Sequence, residues 1–407
     1  MPSYRQLFRT PEFTPFFATH ALQIAAQTVT GPALATLIYG HTGSPLLAAL
    51  AMFGPSLAQL LGATTLLSAA DRLPPRAAIG TLALVFALAT ALQAVHGMPV
   101  AAAFALLMVQ GVLSAVGGGV RFGLLNEILG RDGYVLGRSV LNMSSGALQI
   151  GGFAVGGLLT ALVEPRGTIL VGAGLFVLAA VTARTGLTRR EPRRTAGRAS
   201  VGETWRTNRV LWSDPARRPV LLALWVPNGL VVGCESLFVP YAPGHSAVLF
   251  AAGAFGMLVG DTVMGRFVPA GLRDRLAAPL RLLLAAPYLL LVLEPGPLVA
   301  AGIAAVASVG FAASLPLQAR LAVLTPDELS GHAQGLASSG TLAMQGVGAG
   351  LAGAVAQFSS PGTAMAVMAA ASIAVTLLLA PRLRRQGRTE SGAAGPRTGR
   401  TRVGGRA

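Results

Sequence analysis

Two stretches of this chain begin alike: "LFRTPEFTP" at residues 7–15 and "LWSDPARRP" at residues 211–219. Leu7, Pro11 and Pro15 match Leu211, Pro215 and Pro219 at an offset of 204. The likeness continues along the sequence. Phe53-Gly54 in "AMFG" matches Phe255-Gly256 in "GAFG", Asp71-Arg72-Leu73 returns as Asp274-Arg275-Leu276, and "QIGGFAVGG" at 149–157 parallels "QGVGAGLAG" at 345–353. Matches in the same order at nearly constant spacing read as two related halves.

Composition says what surrounds those halves. The chain has 407 residues, 53% of them hydrophobic and 11% charged, with a mean hydropathy of +0.63. A soluble domain carries about one quarter charged residues, so the missing charge points to lipid as the solvent. A spanning helix needs about 20 mostly apolar residues. Windows of that kind fall near 13–39, 46–70, 77–95, 98–120, 135–163, 167–186, 217–242, 246–268, 277–293, 297–318, 332–358 and 361–380. Backbone groups in lipid must bond internally, and no window alternates as a barrel strand does, so these are read as helices. The expected fold is an all-α integral membrane protein with twelve spans in two six-helix bundles. Its boundaries are 1–186 for the first half, 187–214 for a basic linker with an interfacial helix, 215–380 for the second half and 381–407 for a disordered basic tail.

Charge supplies orientation and several exclusions. The net charge is +16 with no lysine, which removes the lysine-bearing phosphate loop and Schiff-base chemistry. The arginines lie between and beyond apolar runs, so no nucleic-acid surface is expected. Cys234 is the single cysteine, no metal-ligand spacing appears, and the N-terminus lacks a cleavable signal. Stretch 184–218 has ten arginines and the tail after Pro381 has eight, whereas the loops assigned to the other face hold Arg166. The positive-inside rule then puts both termini in the cytoplasm, with the plasma membrane as the location.

Parallel halves related by an axis along the membrane normal form a transporter architecture, with the substrate site between them near mid-membrane. The loop "DRLPPR" at 71–76 resembles the signature of the major facilitator superfamily, with Leu67 and Pro74 where that signature has glycines. The resemblance covers residues 5–380. It implies that Asp71, Arg72 and Arg76, with Asp274 and Arg275 as repeat partners, gate the cytoplasmic side. "GFAVGG" at 152–157 resembles the end of the family's exporter-associated motif, with Phe153 in place of proline. "Gln110-Gly111" in the fourth span lacks the family's arginine, Leu107 standing there, and Arg121 reads as an anchor snorkelling to the interface.

Ionisable residues inside a span cost at least about 2.5 kcal/mol and mark pathways or partners. Glu235 is the carboxylate expected on the proton or substrate pathway, with Asn228 below it and Tyr241 above; a helix-to-helix hydrogen bond is the plainer alternative. Asp261 lies nearer the cytoplasmic gate. In the first span Gln23, Gln27 and Thr30 recur at helical spacing beside His20. Gln149 and Gln345 stand at matching places, to contact substrate or to bond across helices. No cofactor is expected; the proton gradient is the energy source, the partners are a small molecule and the bilayer, and the family resemblance implies a monomer. The leading expectation is a proton-coupled exporter of small hydrophobic or cationic compounds, not an enzyme. An uptake carrier of the same fold and a non-transporting scaffold or sensor are the alternatives.

Overall fold

The computed structural model describes residues 4–65, 73–191 and 201–393, and among them there is no strand. The first helices are α1 (Tyr4–Arg9), α2 (Phe13–Thr42), α3 (Pro45–Thr65) and α4 (Pro75–Gln93). A helical stretch from Val100 to Gly186 follows, broken at Gly130 (φ 63°) and Glu164 (φ 64°). These breaks divide it into α5 (100–129), α6 (131–163) and α7 (165–186). The second has a local cause: Pro165 restricts the residue before it and suits the first turn of the next helix.

After the linker come α8 (Val201–Ser213), α9 (Arg217–Ser236), α10 (Phe238–Tyr241) and α11 (Ser246–Thr262), the last extended by a π turn at Val263–Phe267. Next, α12 (Ala270–Ala285) runs on as a 3-10 segment, Ala286–Leu293, before α13 (Pro297–Val309) and α14 (Ser314–Val323). The chain ends in α15 (Asp327–Phe358) and α16 (Pro361–Ala393). The final helix passes through Pro381 instead of stopping there, and residues 394–407 lie outside the described part.

Ten helical stretches among the described residues are long and apolar enough to cross a membrane. Two physical features separate this number from the expected twelve. The stretch Ser144–Gly186 counts as one although Glu164 breaks it. Helix α15 is 32 residues long, but its first half carries Asp327, Glu328, His332 and Gln334 and falls short in apolarity.

The internal likeness has a structural counterpart in repeated close contacts. Gly54 of α3 faces Met108 of α5, and its match Gly256 of α11 lies against Ala305 of α13. Likewise Gly152 of α6 meets Thr28 of α2, while Gly348 of α15 meets the backbone of Gly229 in α9. Small residues let helix backbones approach where no side chain would fit. The opening repeat also packs alike: Leu7 and Leu211 are 2% and 1% exposed. Trp212 beside Leu211 stacks on Trp225 with ring centroids 5.4 Å apart, so α8 is held by its end while Trp205 stays exposed.

Candidate functional site

Where α2, α3, α4, α5, α6, α7 and α15 converge, they enclose a cavity of about 150 Å³. Its polar groups are amides and hydroxyls. Gln27, Gln59, Gln93, Gln110, Gln149 and Gln345 reach it, with Ser56, Thr90 and Ser114, and Phe53, Phe86, Phe153 and Phe176 supply aromatic wall. None of the described residues that line it is charged, and Leu342 and Gln345 line it from α15.

Helix packing explains why these side chains turn inward. Glycines on one face of α6 seat it on α2: a methyl group on Gly156 would stand 2.5 Å from the Val29 carbonyl oxygen. With that face fixed, Gln149 and Phe153 point to the cavity. Gly111 does the same for α5, a methyl there standing 2.5 Å from the Pro55 carbonyl oxygen, which presents Gln110 and Ser114. Gln110 is held by its neighbours: its Nε2 donates to Thr90 Oγ1 (3.0 Å) and to the Phe86 carbonyl (3.3 Å), and its Oε1 accepts from Gln93 Nε2 (3.3 Å). Across the cavity, Gln345 Nε2 donates to Asn228 Oδ1 (3.3 Å).

The seam between α3 and α15 is closed at the end opposite the termini. Gly346 lies against Leu57, Gly350 beside Leu50 and Gly353 against Leu46. Beyond them Ser44 Oγ donates to Gln357 Oε1 at 2.8 Å. Gly157 of α6 meets Ala247 of α11 at the same end.

The other sequence candidates lie in three separate places. His20 and Gln23 are joined below the cavity by Arg121, whose Nη1 donates to His20 Nδ1 (3.1 Å) and Gln23 Oε1 (2.9 Å). Arg121 therefore turns inward and does not snorkel as the sequence suggested, because two acceptors on α2 lie within its reach. Glu235 is buried in an apolar cluster with Cys234, Leu237, Phe238 and Tyr288 and does not border the cavity. Its Oε1 has no hydrogen-bond partner among the described residues. Tyr241 lies near the opposite end, its hydroxyl donating to the Pro295 carbonyl at 3.4 Å.

Of the loop residues, Asp71 and Arg72 lie outside the described residues, as does the side chain of Asp274. Arg76 donates to the Arg184 carbonyl at the end of α7, a bond within its own half. The negative end of a helix is a favourable place for a guanidinium. Arg275 is exposed and Asp261 is half-buried.

Sequence reasoning missed Gln59, Gln93 and Thr90 as cavity groups, although an isolated amide in an apolar run is itself a signal. It also did not single out Arg281, which is 4% exposed, inside the span Arg275–Leu293, with Nε and Nη1 unpartnered among the described residues.

Near the termini, Glu12 accepts from Thr188 Oγ1 (2.8 Å) and pairs with Arg190 (3.3 Å), which also pairs with Glu127. In the second half Asp214 accepts from the Ala216 N–H and from Arg217 Nε, both at 2.8 Å. Burial pushes the Asp214 carboxyl upward, but the Ala216 N–H and the Arg217 guanidinium outweigh it and hold the group below its ordinary value.

Comparison with known proteins agrees with this architecture. No curated protein matches the sequence significantly. Solved structures similar in fold include a POT family transporter in complex with a thioalcohol-conjugated peptide, at 11% identity and TM-score 0.66, covering 92% of this chain and 96% of that one. A bacterial homologue of the human lysosomal transporter Spinster, inward-facing and occupied, aligns at 14% identity and TM-score 0.65 with the same coverage. The nucleoside transporter NupG aligns at 12% identity and TM-score 0.62, covering 91% of this chain and 99% of its own. The family profile described as Major Facilitator Superfamily matches residues 16–324. This multi-pass membrane chain therefore belongs to the Major Facilitator Superfamily of transporters.

Proposed function

We propose that the chain is a proton-coupled secondary transporter that carries a small polar molecule with an uncharged body, by alternating access of two six-helix halves across twelve spans. The observation that carries this reading is the uncharged cavity walled by glutamine amides, hydroxyls and phenyl rings. Amides and hydroxyls both donate and accept hydrogen bonds, and phenyl faces stack on flat apolar surface. Such a lining suits a hydrogen-bonding, partly aromatic solute. It favours that class over the cations expected from sequence, because a cation would find no carboxylate on the wall.

The glycine-packed seam supports alternating access, since closure at one end leaves the opposite end to admit solute. The "GFAVGG" stretch supports export as the direction, and the arginine distribution supports cytoplasmic termini in the plasma membrane. The Asp71–Arg76 and Asp274–Arg275 loops are assigned to the cytoplasmic end, and the chain to a monomer.

The test is flux in proteoliposomes under an imposed pH gradient, using neutral nucleoside-like, glycoside-like and amide solutes beside a lipophilic cation. The expected result is gradient-driven movement of at least one neutral solute, reduced by Gln149→Leu or Gln345→Leu. Movement of the cation alone would refute the substrate class; flux only toward the compartment holding the termini would make the chain an uptake carrier.

A further inference from the structure

Below the cavity, toward the termini, a polar cluster is built on the same helices as the cavity walls. On α2, Gln23 and His20 lie four and seven residues before cavity-lining Gln27. On α5, Arg121 lies seven residues after Ser114, and on α6, Ser145 lies four before Gln149. Helix α5 runs opposite to α2 and α6, so all these displacements point the same way, by about 6 to 10 Å at 1.5 Å per residue. Arg121, His20, Gln23 and Ser145 meet there.

The hydrogen bonds fix the state of the histidine. Ser145 Oγ donates its single proton to the Leu141 carbonyl (2.8 Å). It must then accept from His20 Nε2 (2.7 Å). Nε2 carries the hydrogen, and the Nδ1 lone pair accepts from Arg121 Nη1. A proton added at Nδ1 removes that acceptor and sets an imidazolium beside a guanidinium.

Among the described residues the guanidinium has no counter-charge within bonding distance. Its Nε donates to the Gly117 carbonyl (3.2 Å) and its Nη1 to His20 and Gln23. The two N–H groups of Nη2 serve nothing among the described residues, and the side chain is half-buried. Arg121 is the charged group bonded to the His20 ring. On α2 the nearest carboxylate, Glu12, is engaged by Arg190 and Thr188. On α6, Arg138 lies over the Phe122 ring, and on α7 Arg184 is turned toward Gly80.

From these contacts we infer a proton-linked oxyanion site: Arg121 binds one carboxylate-like anion just below the cavity, and His20 takes up one proton with it. An anion on Nη2 neutralises the guanidinium charge that faces Nδ1, so that an imidazolium beside it no longer meets an uncompensated cation. Protonation in turn frees the Nη1 hydrogen for the anion. By linkage each strengthens the other's binding to the same extent. The site rests on the reading of the cavity as the transport site, and gives the carried molecule, or a co-carried anion, one negative end.

The test uses the full chain in lipid nanodiscs with acetate, benzoate and chloride as probes, and benzyl alcohol as the neutral control. Thermal unfolding is followed against probe concentration between pH 5.5 and 7.5, together with proton uptake in weakly buffered solution. A bound ligand stabilises by mass action. The expected result is saturable stabilisation by a carboxylate, its affinity tightening by up to about tenfold per pH unit as pH falls, with about one proton taken up per anion. Arg121→Gln abolishes it; His20→Gln keeps binding but removes the pH dependence and the uptake. Benzoate outperforming acetate places the carboxylate on an aromatic solute, and equal action of acetate and chloride indicates a free anion.

Absence of stabilisation by any anion, stabilisation indifferent to pH, or full stabilisation in Arg121→Gln overturns the proposal. Should Arg121→Gln not fold, the wild-type pH series and His20→Gln decide it. Transport of a neutral solute without anion binding would remove this site and leave the cavity reading standing.

Discussion

Gly152 lies against Thr28 and Gly348 against Gly229, so each half seats a glycine face on the first long helix of its own half. The interiors behind these matching contacts differ. In the first half amides bond to one another around a cavity, and Arg121 is held by His20 and Gln23. In the second half, the carboxyl of Glu235 and the guanidinium of Arg281 sit in apolar surroundings with unpartnered atoms. Related packing devices thus support a wet, hydrogen-bonded interior on one side and a dry one on the other. Close helix contacts need small residues at a few positions, whereas solute binding needs polar groups between them, so the two features can diverge independently.

The largest expected effect comes from breaking the shared part. Leucine at Gly156 or at Gly233 forces a side chain where a methyl already stands 2.5 or 2.6 Å from a carbonyl oxygen. Overpacking of this kind costs about 1–3 kcal/mol. Each variant is expected to lower the unfolding midpoint by several degrees and to cut yield; unchanged midpoints in both would mean these contacts do not hold the halves together.

Glu235→Met sharpens the contrast from the dry side. Replacing a buried carboxyl whose Oε1 has no partner among the described residues by an apolar side chain of similar length is expected to stabilise the protein by about 0.5–2 kcal/mol, with flux retained. Loss of flux at unchanged stability would instead put the second half's interior on the pathway. On the wet side, Gln110→Leu leaves Gln93 and Thr90 without their partner. A typical hydrogen bond contributes about 0.5–1.5 kcal/mol, so solute affinity is expected to fall up to about tenfold, read as a KM increase in proteoliposome flux.

The smallest effect lies at the entrance to α9. Because the folded Asp214 carboxyl is held below its ordinary value, its contribution is present above about pH 4 and is lost as pH falls through the folded value. For a partly exposed pair, Asp214→Ala is expected to cost about 1 kcal/mol or less at neutral pH and progressively less as pH falls through the folded value, measured by thermal unfolding across pH. Equal loss at all pH values would assign the effect to the backbone turn at Ala216 alone.

Much of the fold was legible because lipid imposes a simple rule on sequence: long apolar runs must become helices. The repeat at Leu7 and Leu211, the glycines at 152 and 348, and Gln149 and Gln345 were visible as spacing alone. The break at Glu164 could be read from the following Pro165. Which polar residue faces which neighbour could not be read that way. Glu235 drew attention as a carboxylate in a span, yet its helix turns it into the apolar cluster around Tyr288. Arg121 looked like an interfacial anchor until α2 brought His20 and Gln23 within 3.1 Å.

The sequence by itself determined a helical membrane chain, because hydropathy is a property of order along the chain. Tertiary structure alone decided that glutamines scattered from Gln27 to Gln345 share one uncharged cavity. It also decided that Arg121 is partnered while Nε and Nη1 of Arg281 find no partner among the described residues. Those outcomes depend on how helices rotate and cross, and rotation is set by close contacts between residues far apart in sequence.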